Sequence, residues 1–229
     1  ILFKTFMKVL AQRKDLMATF MAKWSVDYPG QSGHIHISLQ NEDGKSIFYD
    51  NEKPDNISDE MRWFVGGQQK LMPELLSMVA CTVNSYARLV PGLWAPTSAT
   101  WGIENRTCAL RTIGGGEKST RVEYRISASD INPYIAGAAA IGSGLWGIEN
   151  KIEPTASIAG NAYDQTMPKE FMLPSTLGSA SDRLKCSEAA KELFGDQFVD
   201  HYTRTRDWEE LQSRKAVTDW QLQRYFEII

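Results

Sequence analysis

Charged and apolar side chains alternate along residues 121–126, which read Arg-Val-Glu-Tyr-Arg-Ile. Successive side chains of an extended strand point to opposite faces, so Arg121, Glu123 and Arg125 share one face and the apolar residues share the other. This alternation predicts a half-buried strand with a charged outer face. A Gly-rich turn precedes it and joins it to a second predicted strand at 107–113, so the two strands should form a hairpin.

The outer face of this hairpin is rich in arginine. Arg106 and Arg111 belong to the partner segment and should lie near the guanidinium groups of the first strand. Arginine forks suit the bidentate binding of phosphate and carboxylate groups. The alternative is a solvated sheet face held by cross-strand ion pairs, and the pattern alone leaves both interpretations open.

A second alternating segment carries two of the three histidines of the chain. His34, His36 and Ser38 alternate with isoleucine and leucine, which predicts another strand with a polar face. A neutral imidazole can bind a metal ion, and a neighbouring one can donate a hydrogen bond to phosphate. Because His-x-His pairs also occur on ordinary strands, a purely structural role stays open.

Hydrophobic spacing and capping residues predict the other elements. The small residues that follow Asn132 and Pro133 indicate a helix that packs closely at the centre of the fold. Mixed helices and local hairpins indicate an α+β fold around an antiparallel sheet. The remaining predicted helices cover 2–11, 58–80 with an interruption near Pro73, and 181–229, and the remaining predicted strands cover 19–24 and 46–49.

Composition excludes several classes of protein. The 229 residues carry a formal net charge of −3, with 42% hydrophobic and 23% charged residues, which is typical of a globular chain and not of a disordered one. A mildly acidic chain is a poor candidate for binding nucleic acid or an anionic membrane. Three cysteines are too few and too scattered for a disulfide framework or a zinc site. Because the chain starts at Ile1 inside an amphipathic run, we expect it to be cut from a longer protein.

Five motifs occur in an order that resembles the C-terminal catalytic part of the glutamine synthetase family. They are Ser-Gly-His-Ile-His-Ile-Ser-Leu at 32–39, Asn-Ser-Tyr-Ala-Arg-Leu-Val-Pro-Gly at 84–92, Asn-Arg-Thr at 105–107, Arg-Val-Glu-Tyr-Arg at 121–125 and Asp-Ile-Asn-Pro-Tyr at 130–134. The resemblance implies an antiparallel β-sheet with flanking helices, a glutamine synthetase/guanido kinase-like domain truncated at its N-terminal side. Residues 1–229 would then be the C-terminal portion of a single catalytic domain, without the family's N-terminal β-grasp domain.

The resemblance also implies a reaction. An ATP-dependent ligase would join glutamate to ammonia or an amine through a γ-glutamyl phosphate, with Mg2+ or Mn2+ as the metal. Its partners would be small-molecule substrates, namely glutamate and either ammonia or an amine. It would bind neither nucleic acid nor membranes. The full-length protein would be a cytoplasmic homo-oligomeric ring in nitrogen metabolism or glutamine biosynthesis.

The resemblance implies a functional role for each residue that matches the family's motifs. Residues that would bind the metal are His34 and Glu123. Residues that would bind ATP are His36, Ser38, Arg106, Arg111, Lys118 and Arg121. Residues that would bind glutamate are Gly30, His34, Arg88 and Arg125. Residues that would act in catalysis are Arg88 and Arg106.

Two positions depart from the family's pattern. Trp94 stands where ammonia-using members carry a glutamate that helps to deprotonate ammonium, and Pro29 replaces a usual asparagine. A tryptophan cannot accept a proton, but it can form an apolar or cation-binding wall. The chain therefore also resembles γ-glutamyl–polyamine and γ-glutamyl–ethanolamine ligases, unless another nearby acid replaces the missing glutamate.

Two further expectations concern activity. The alternative to an active ligase is a non-catalytic structural member of the family. The metal-binding and phosphate-binding residues of the family are retained here, which favours the ligase. The other metal-binding glutamates of the family lie upstream of the matched region, so we expect the 229-residue chain alone to be inactive.

Overall fold

The computed structural model describes residues 2–228 as an α+β fold, which confirms the predicted class. The strands are β1 (Ile35–Ile37), β2 (Trp101–Ile103), β3 (Leu110–Ile113) and β4 (Arg121–Tyr124). The helices are α1 (Leu2–Gln12), α2 (Asp59–Val79), α3 (Val83–Tyr86), α4 (Pro133–Glu149), α5 (Leu177–Cys186), α6 (Glu188–Phe194), α7 (Asp196–Lys215) and α8 (Asp219–Tyr225). Short 3-10 turns lie at Pro54–Asn56, Ala162–Asp164 and Lys169–Phe171.

The strands form one sheet in the order β1-β4-β3-β2. β4 pairs antiparallel with both β1 and β3, so the predicted hairpin of residues 107–113 and 121–126 is present. β2 and β3 pair in parallel, which makes the sheet mixed at one edge. The apolar face of β4 is buried as predicted, since Val122 and Ile126 have no exposed surface and Tyr124 is 2% exposed.

Two predicted strands are wrong. Residues 19–24 form no regular secondary structure, because their backbone is held by loop contacts instead of a ladder. The Ser129 hydroxyl donates to the Phe20 carbonyl, and the Gln31 amide donates to the Ala22 carbonyl. Residues 46–49 likewise contribute only isolated bridges and no continuous strand. Within residues 2–228, neither segment pairs with a neighbouring strand along a continuous ladder.

Helix α2 corresponds to the helix that the sequence predicted over 58–80. The Ser58 hydroxyl accepts a hydrogen bond from the Met61 amide, which caps the first turn. The helix continues through Pro73, so the predicted interruption is absent. Its buried face includes Phe64, Leu71 and Leu75, which all belong to the main hydrophobic core. Burial of this face outweighs the backbone hydrogen bond that a proline removes.

Helix α1 is present as predicted, but its apolar face is exposed. The exposed fractions of Leu2, Phe3 and Phe6 are 70%, 68% and 63%. The ammonium of Lys4 donates to the Ile131 carbonyl at 2.8 Å and ties this helix to the start of α4. None of the helices within residues 2–228 is both long enough and apolar enough to cross a membrane.

Helices α2 and α4 approach closely because small residues face each other at their crossing. A Cβ on Gly147 would collide with the Trp63 carbonyl oxygen and would lie 2.6 Å from the Gly67 Cα. A Cβ on Gly144 would collide with the ring of Phe64. The small-residue helix that the sequence predicted is therefore packed backbone against backbone, and it supports the buried side of the fold.

We expect Gly147→Ala to lower the free energy of unfolding by about 2–3 kcal/mol, because the added methyl group meets backbone that cannot move aside. Urea unfolding followed by circular dichroism measures this loss. Gly137→Ala is the matched control on the same helix, where a Cβ would have no atom within 4 Å. That control should gain up to about 1 kcal/mol from helix propensity. Equal effects in the two variants would contradict the close crossing.

Candidate active site

The register of the sheet aligns three of the predicted site residues in one row. Glu123 on β4 lies opposite His36 on β1 and opposite Arg111 on β3. Residues that pair across a sheet project from the same face, so the two neighbouring side chains converge on the carboxylate between them. The local alternation of β4 adds Arg121 and Arg125 to this face.

The carboxylate of Glu123 is the centre of the resulting network, and its side chain is only 5% exposed. Oε1 accepts a hydrogen bond from Nη1 of Arg125 at 2.8 Å and lies 2.8 Å from Nδ1 of His34. Oε2 accepts from Nη1 of Arg111 at 3.2 Å. His36 is close to the same group, with its Nε2 3.7 Å from Oε1. A nearly buried carboxylate is thus matched by cationic and imidazole partners, as burial of its charge requires.

These contacts shift the protonation equilibria of two groups. Burial by itself raises the pKa of Glu123, but the charge of Arg125 and the hydrogen bond from Arg111 hold that pKa below its ordinary value. Burial and the charge of Arg125 lower the pKa of His34, against the opposing effect of Glu123. The site therefore favours an ionised carboxylate beside a neutral imidazole, which are the forms that bind a metal ion.

The remaining contacts orient the histidines. Arg121 donates from Nε to Nδ1 of His36 at 3.2 Å. The Ser32 hydroxyl lies 3.0 Å from Nε2 of His34, on the far side of the ring from Glu123. The imidazole of His34 therefore has a polar partner at both ring nitrogens, and that of His36 has one at Nδ1, and such partners fix ring orientation.

Arg88 and Gly30 form a second group beside this network. Arg88 is only 4% exposed, and its Nη2 donates to the Ile126 carbonyl just after β4. A Cβ on Gly30 would lie 2.5 Å from the Arg88 Cγ, so the loop at residue 30 packs directly on the arginine stem. The structure thus places Gly30, Arg88 and Arg125 around the C-terminal end of β4.

Two buried guanidinium donors in this group have no hydrogen-bond partner within residues 2–228. They are the Nε atoms of Arg88 and Arg125. Burial lowers the pKa of Arg88 to about 10, Asp130 opposes that decrease, and the charge of Arg125 adds to it. Buried donors are nearly always satisfied, and two adjacent cations favour an anion between or beside them. The chemistry of this group therefore fits the carboxylate of a small ligand.

Asp130 holds the short helix that precedes Arg88 and was not among the predicted site residues. Its Oδ2 accepts from the Thr82 hydroxyl at 2.6 Å and from the Ser85 hydroxyl at 2.9 Å. Thr82 and Ser85 form the capping box of α3, the short helix that leads to Arg88. The signal was present in the Asp-Ile-Asn-Pro-Tyr motif at 130–134, but sequence alone did not show which loop this carboxylate would reach.

Other predicted ATP-binding residues lie outside the network. Arg106 is exposed and lines an open groove of about 700 Å³ together with Arg111. Ser38 and Lys118 are exposed, and neither makes a hydrogen bond or ion pair to Glu123 or its partners among the described residues. Arg111 is also engaged by Glu104, whose carboxylate accepts from its Nε at 3.1 Å. Glu104 was not among the predicted site residues.

His34 and Glu123 fit part of a divalent-metal site. Nδ1 of His34 lies 2.8 Å from Oε1 of Glu123. No group of three or more metal-binding side chains occurs in the part of the chain that the structure describes. Mg2+ and Mn2+ keep several waters and share ligands with substrate phosphates, so one carboxylate and one imidazole can supply part of the ligand set.

Comparison with known proteins identifies the sequence family. The family described as "Glutamine synthetase, catalytic domain" matches residues 1–225. Type-1 glutamine synthetase 2 of Dictyostelium discoideum is 47% identical over 100% of this chain and 44% of its own length. A glutamate–isopropylamine ligase of a Pseudomonas species is 38% identical over 100% of this chain and 50% of its own. A gamma-glutamylethanolamide synthetase of Streptomyces coelicolor is 40% identical over 98% and 47%, respectively.

The same likeness holds in three dimensions. The structure of GmaS without ligand superposes with a TM-score of 0.88 at 27% identity and covers 99% of this chain and 52% of GmaS. A GmaS/ADP complex superposes with a TM-score of 0.87 at 27% identity. The chain spans about half the length of the curated relatives it matches. These matches, together with the arginine, histidine and glutamate network on the sheet, show that the chain belongs to the glutamine synthetase family and corresponds to its catalytic domain.

Proposed function

We propose that the protein carrying this chain is an ATP-dependent ligase that joins glutamate to an amine through a γ-glutamyl phosphate. The observation that carries the proposal is the sheet face on which Glu123 lies among His34, Arg111 and Arg125, with the guanidinium of Arg88 beside Arg125. Two adjacent guanidinium groups suit a substrate carboxylate. Family membership and the ligase names of relatives support the reaction class.

The proposed reaction has two steps. An oxygen of the side-chain carboxylate of glutamate attacks the γ-phosphorus of ATP, and the bond to ADP breaks. The amine nitrogen then attacks the γ-carbonyl carbon, the C–O bond to phosphate breaks, and the nitrogen loses a proton to solvent. Phosphoryl transfer depends mainly on positioning and on neutralising charge, so a face lined with arginine suits it.

The proposed roles follow the contacts. Arg88 and Arg125, with Gly30 against the Arg88 stem, would hold glutamate. His34 and Glu123 would contribute to holding Mg2+ or Mn2+, which supplies charge neutralisation at the phosphates when bound. Arg106 and Arg88 would stabilise the charge that moves with the phosphoryl group. The residues proposed to contact ATP are His36, Ser38, Arg106, Arg111, Lys118 and Arg121.

Trp94 supports an organic amine over ammonia as the acceptor. Its side chain is 82% exposed. The family resemblance implies a proton-accepting glutamate at this position in ammonia-using members. An indole ring can contact an alkyl chain or an ammonium face but cannot take a proton. The names of the isopropylamine and ethanolamide ligases support the same class of acceptor.

The proposal extends to the whole protein. We infer that residues 1–229 are the C-terminal portion of one catalytic domain, that further metal-binding glutamates lie outside this chain, and that the chain alone is inactive. A homo-oligomeric ring in the cytoplasm, acting on small molecules in nitrogen metabolism, agrees with the family.

The test is the dependence of ADP release on substrates. With the protein that carries this chain, we expect ADP from ATP only when glutamate and an amine are both supplied with Mg2+ or Mn2+. A coupled ADP assay compares ammonia with putrescine and ethanolamine at equal concentrations. Organic amines should support rates at least about tenfold above ammonia, because no acid at position 94 holds ammonium. An efficient reaction with ammonia alone would exclude the amine assignment.

A further inference from the structure

The side chain of Asn84, on helix α3, pairs with the backbone of a distant loop. Its Oδ1 accepts a hydrogen bond from the Lys23 amide at 2.9 Å, and its Nδ2 donates to the Lys23 carbonyl at 2.7 Å. An asparagine side chain carries the same donor and acceptor groups as the backbone, so it can take the place of a neighbouring strand at one residue. Asn84 thereby satisfies both backbone groups of Lys23, in a segment that forms no regular strand.

The loop that Asn84 holds packs on the stem of Arg88. Gly30 lies between that stem and the Ala22 carbonyl, since an added Cβ would be 2.5 Å from the Arg88 Cγ and 2.8 Å from the Ala22 oxygen. Ala22 is fully buried and directly precedes Lys23. The backbone that Asn84 fixes is therefore continuous with the surface on which Gly30 rests. Because Arg88 follows Asn84 closely in the chain, the contacts form a closed circuit from α3 through the loop and back to the arginine.

This packing decides where the guanidinium of Arg88 lies. Its Nη2 donates to the Ile126 carbonyl, which fixes one edge of the group. The carbons of an arginine stem carry no hydrogen-bonding group, so only contact with neighbouring atoms can fix their torsion angles. Gly30 also faces the Arg88 Cδ, which would lie 2.8 Å from an added Cβ. Withdrawal of the loop would therefore free two carbons of the stem.

The rest of the loop closes on itself. The rings of Trp24 and Tyr28 stack with their centroids 5.2 Å apart, and the Lys23 ammonium donates to the Tyr28 carbonyl. Both rings are more than half exposed. These contacts hold the shape of the loop, whereas Asn84 attaches that shape to α3. Loss of the Asn84 amide should therefore loosen the loop on the Arg88 stem.

We infer that Asn84 is a positioning residue for glutamate binding, which acts by holding the Gly30 loop on the Arg88 side chain. The loop in turn keeps the guanidinium of Arg88 beside that of Arg125. This role rests on the proposed ligase function, in which the two arginines bind the substrate carboxylate. Displacement of a positioned group by about 1 Å can cost roughly a hundredfold in rate. The residues proposed for ATP lie on the sheet and its turns, so loosening of the loop should be felt at glutamate and not at ATP.

Asn84→Ala, in the protein that carries this chain, is expected to raise the KM of glutamate about tenfold and to leave the KM of ATP within about twofold of the wild type. The variant should fold, because the Ser129 hydroxyl still donates to the Phe20 carbonyl and the Ser129 amide to the Gln31 carbonyl. A coupled ADP assay at varied glutamate and at varied ATP measures both constants.

Two further variants sharpen this test. Asn150→Ala is the matched control, because Asn150 is exposed at the C-terminal end of α4 and donates to the Trp146 carbonyl at 2.9 Å. It should change neither KM. Asn84→Asp keeps the shape of the side chain but replaces its donor to the Lys23 carbonyl with an oxygen. It should raise the KM of glutamate as well, and it supplies the test if the alanine variant fails to fold.

A double-variant cycle distinguishes positioning from a general loss of stability. Gly30→Ala places a methyl group against the Arg88 stem and should raise the KM of glutamate by itself. Because Asn84→Ala and Gly30→Ala act through one contact, the double variant should raise that KM by less than the product of the two single effects. Effects that multiply, or equal rises in the KM values of glutamate and ATP, would overturn the inference.

Calorimetric titration of glutamate separates this inference from the proposed function. In the absence of ATP, Asn84→Ala should bind glutamate about tenfold more weakly than the wild type. Weaker binding of this kind, without ADP release from any amine, would keep the role of Asn84 and overturn the ligase proposal. ADP release with an unchanged KM of glutamate in both Asn84 variants would overturn the inference and keep the ligase. A wild type that neither binds glutamate nor releases ADP would overturn both.

Discussion

Arg125→Ala is expected to lower glutamate-dependent ADP release about a thousandfold in the protein that carries this chain. The guanidinium of Arg125 donates to Glu123 at 2.8 Å from Nη1, and its buried Nε has no partner among residues 2–228. The variant removes both the donor proposed for the substrate carboxylate and a charge that keeps Glu123 ionised. Steady-state rates at varied glutamate measure kcat and KM together.

Two variants sharpen this result. Arg125→Lys keeps the charge but not the planar fork, so it should recover only part of the lost activity. Arg204→Ala removes an arginine whose side chain is 74% exposed on α7, and it should change neither parameter. Unchanged turnover in Arg125→Ala would show that the proposed carboxylate clamp is wrong, whatever the acceptor is.

Glu123→Gln is expected to lower the free energy of unfolding by about 2–3 kcal/mol in metal-free buffer. The substitution keeps the shape of the side chain but removes the charge that Arg111 and Arg125 face. It leaves the largely buried guanidinium of Arg125 without its carboxylate partner and removes one of the two carboxylates that pair with Arg111. Removing one member of such a network is strongly destabilising, because the remaining charge stays buried. Urea unfolding at neutral pH measures the difference, and the same variant should lose metal-dependent ADP release.

The dependence on pH supplies a further check on Glu123. Its pKa is lowered in the folded protein, so the carboxylate stabilises the fold above the ordinary carboxyl pKa. That contribution is lost as the pH falls from the ordinary carboxyl range through the lowered pKa of Glu123. The wild type and Glu123→Gln should therefore converge in stability in acid.

Glu104→Gln is the matched control, because Glu104 also pairs with Arg111 but has a side chain that is 50% exposed. Its cost should stay below about 1 kcal/mol. Equal losses in Glu104→Gln and Glu123→Gln would contradict the central position of Glu123.

Elements with strong local signals were predictable from the sequence. The Ser58 cap, the Asn132-Pro133 helix start and the Gly-rich turn of the hairpin all depend on residues that are adjacent in the chain. The strand predicted at 19–24 failed because a strand needs a partner, and the backbone there bonds to Gln31 and Ser129 instead. Pro73 did not interrupt α2, because burial of the helix on both sides of it outweighs one lost hydrogen bond.

Part of the candidate site was also readable in the chain. Alternation along 121–126 placed Arg121, Glu123 and Arg125 on one face, and the structure agrees. Two features were not readable from the sequence. Asp130 accepts hydrogen bonds from the Thr82 and Ser85 hydroxyls at the start of α3, and Tyr163, from a distant loop, lines a recess together with Trp94. The local sequence around each residue does not show which distant segment it contacts.

The sequence by itself determined which side chains share a face of a strand, where the main helices begin, and the family to which the motifs belong. The first two properties follow from the period of the backbone and from short-range capping, and the family follows from the five ordered motifs. Only the tertiary structure decided that His36 and Arg111 both meet Glu123, that Arg88 is buried while Arg106 is exposed, and that Trp94 and Tyr163 line one recess. Register, burial and the meeting of loops depend on contacts between segments that are distant in the chain, and local periodicity carries no information about them.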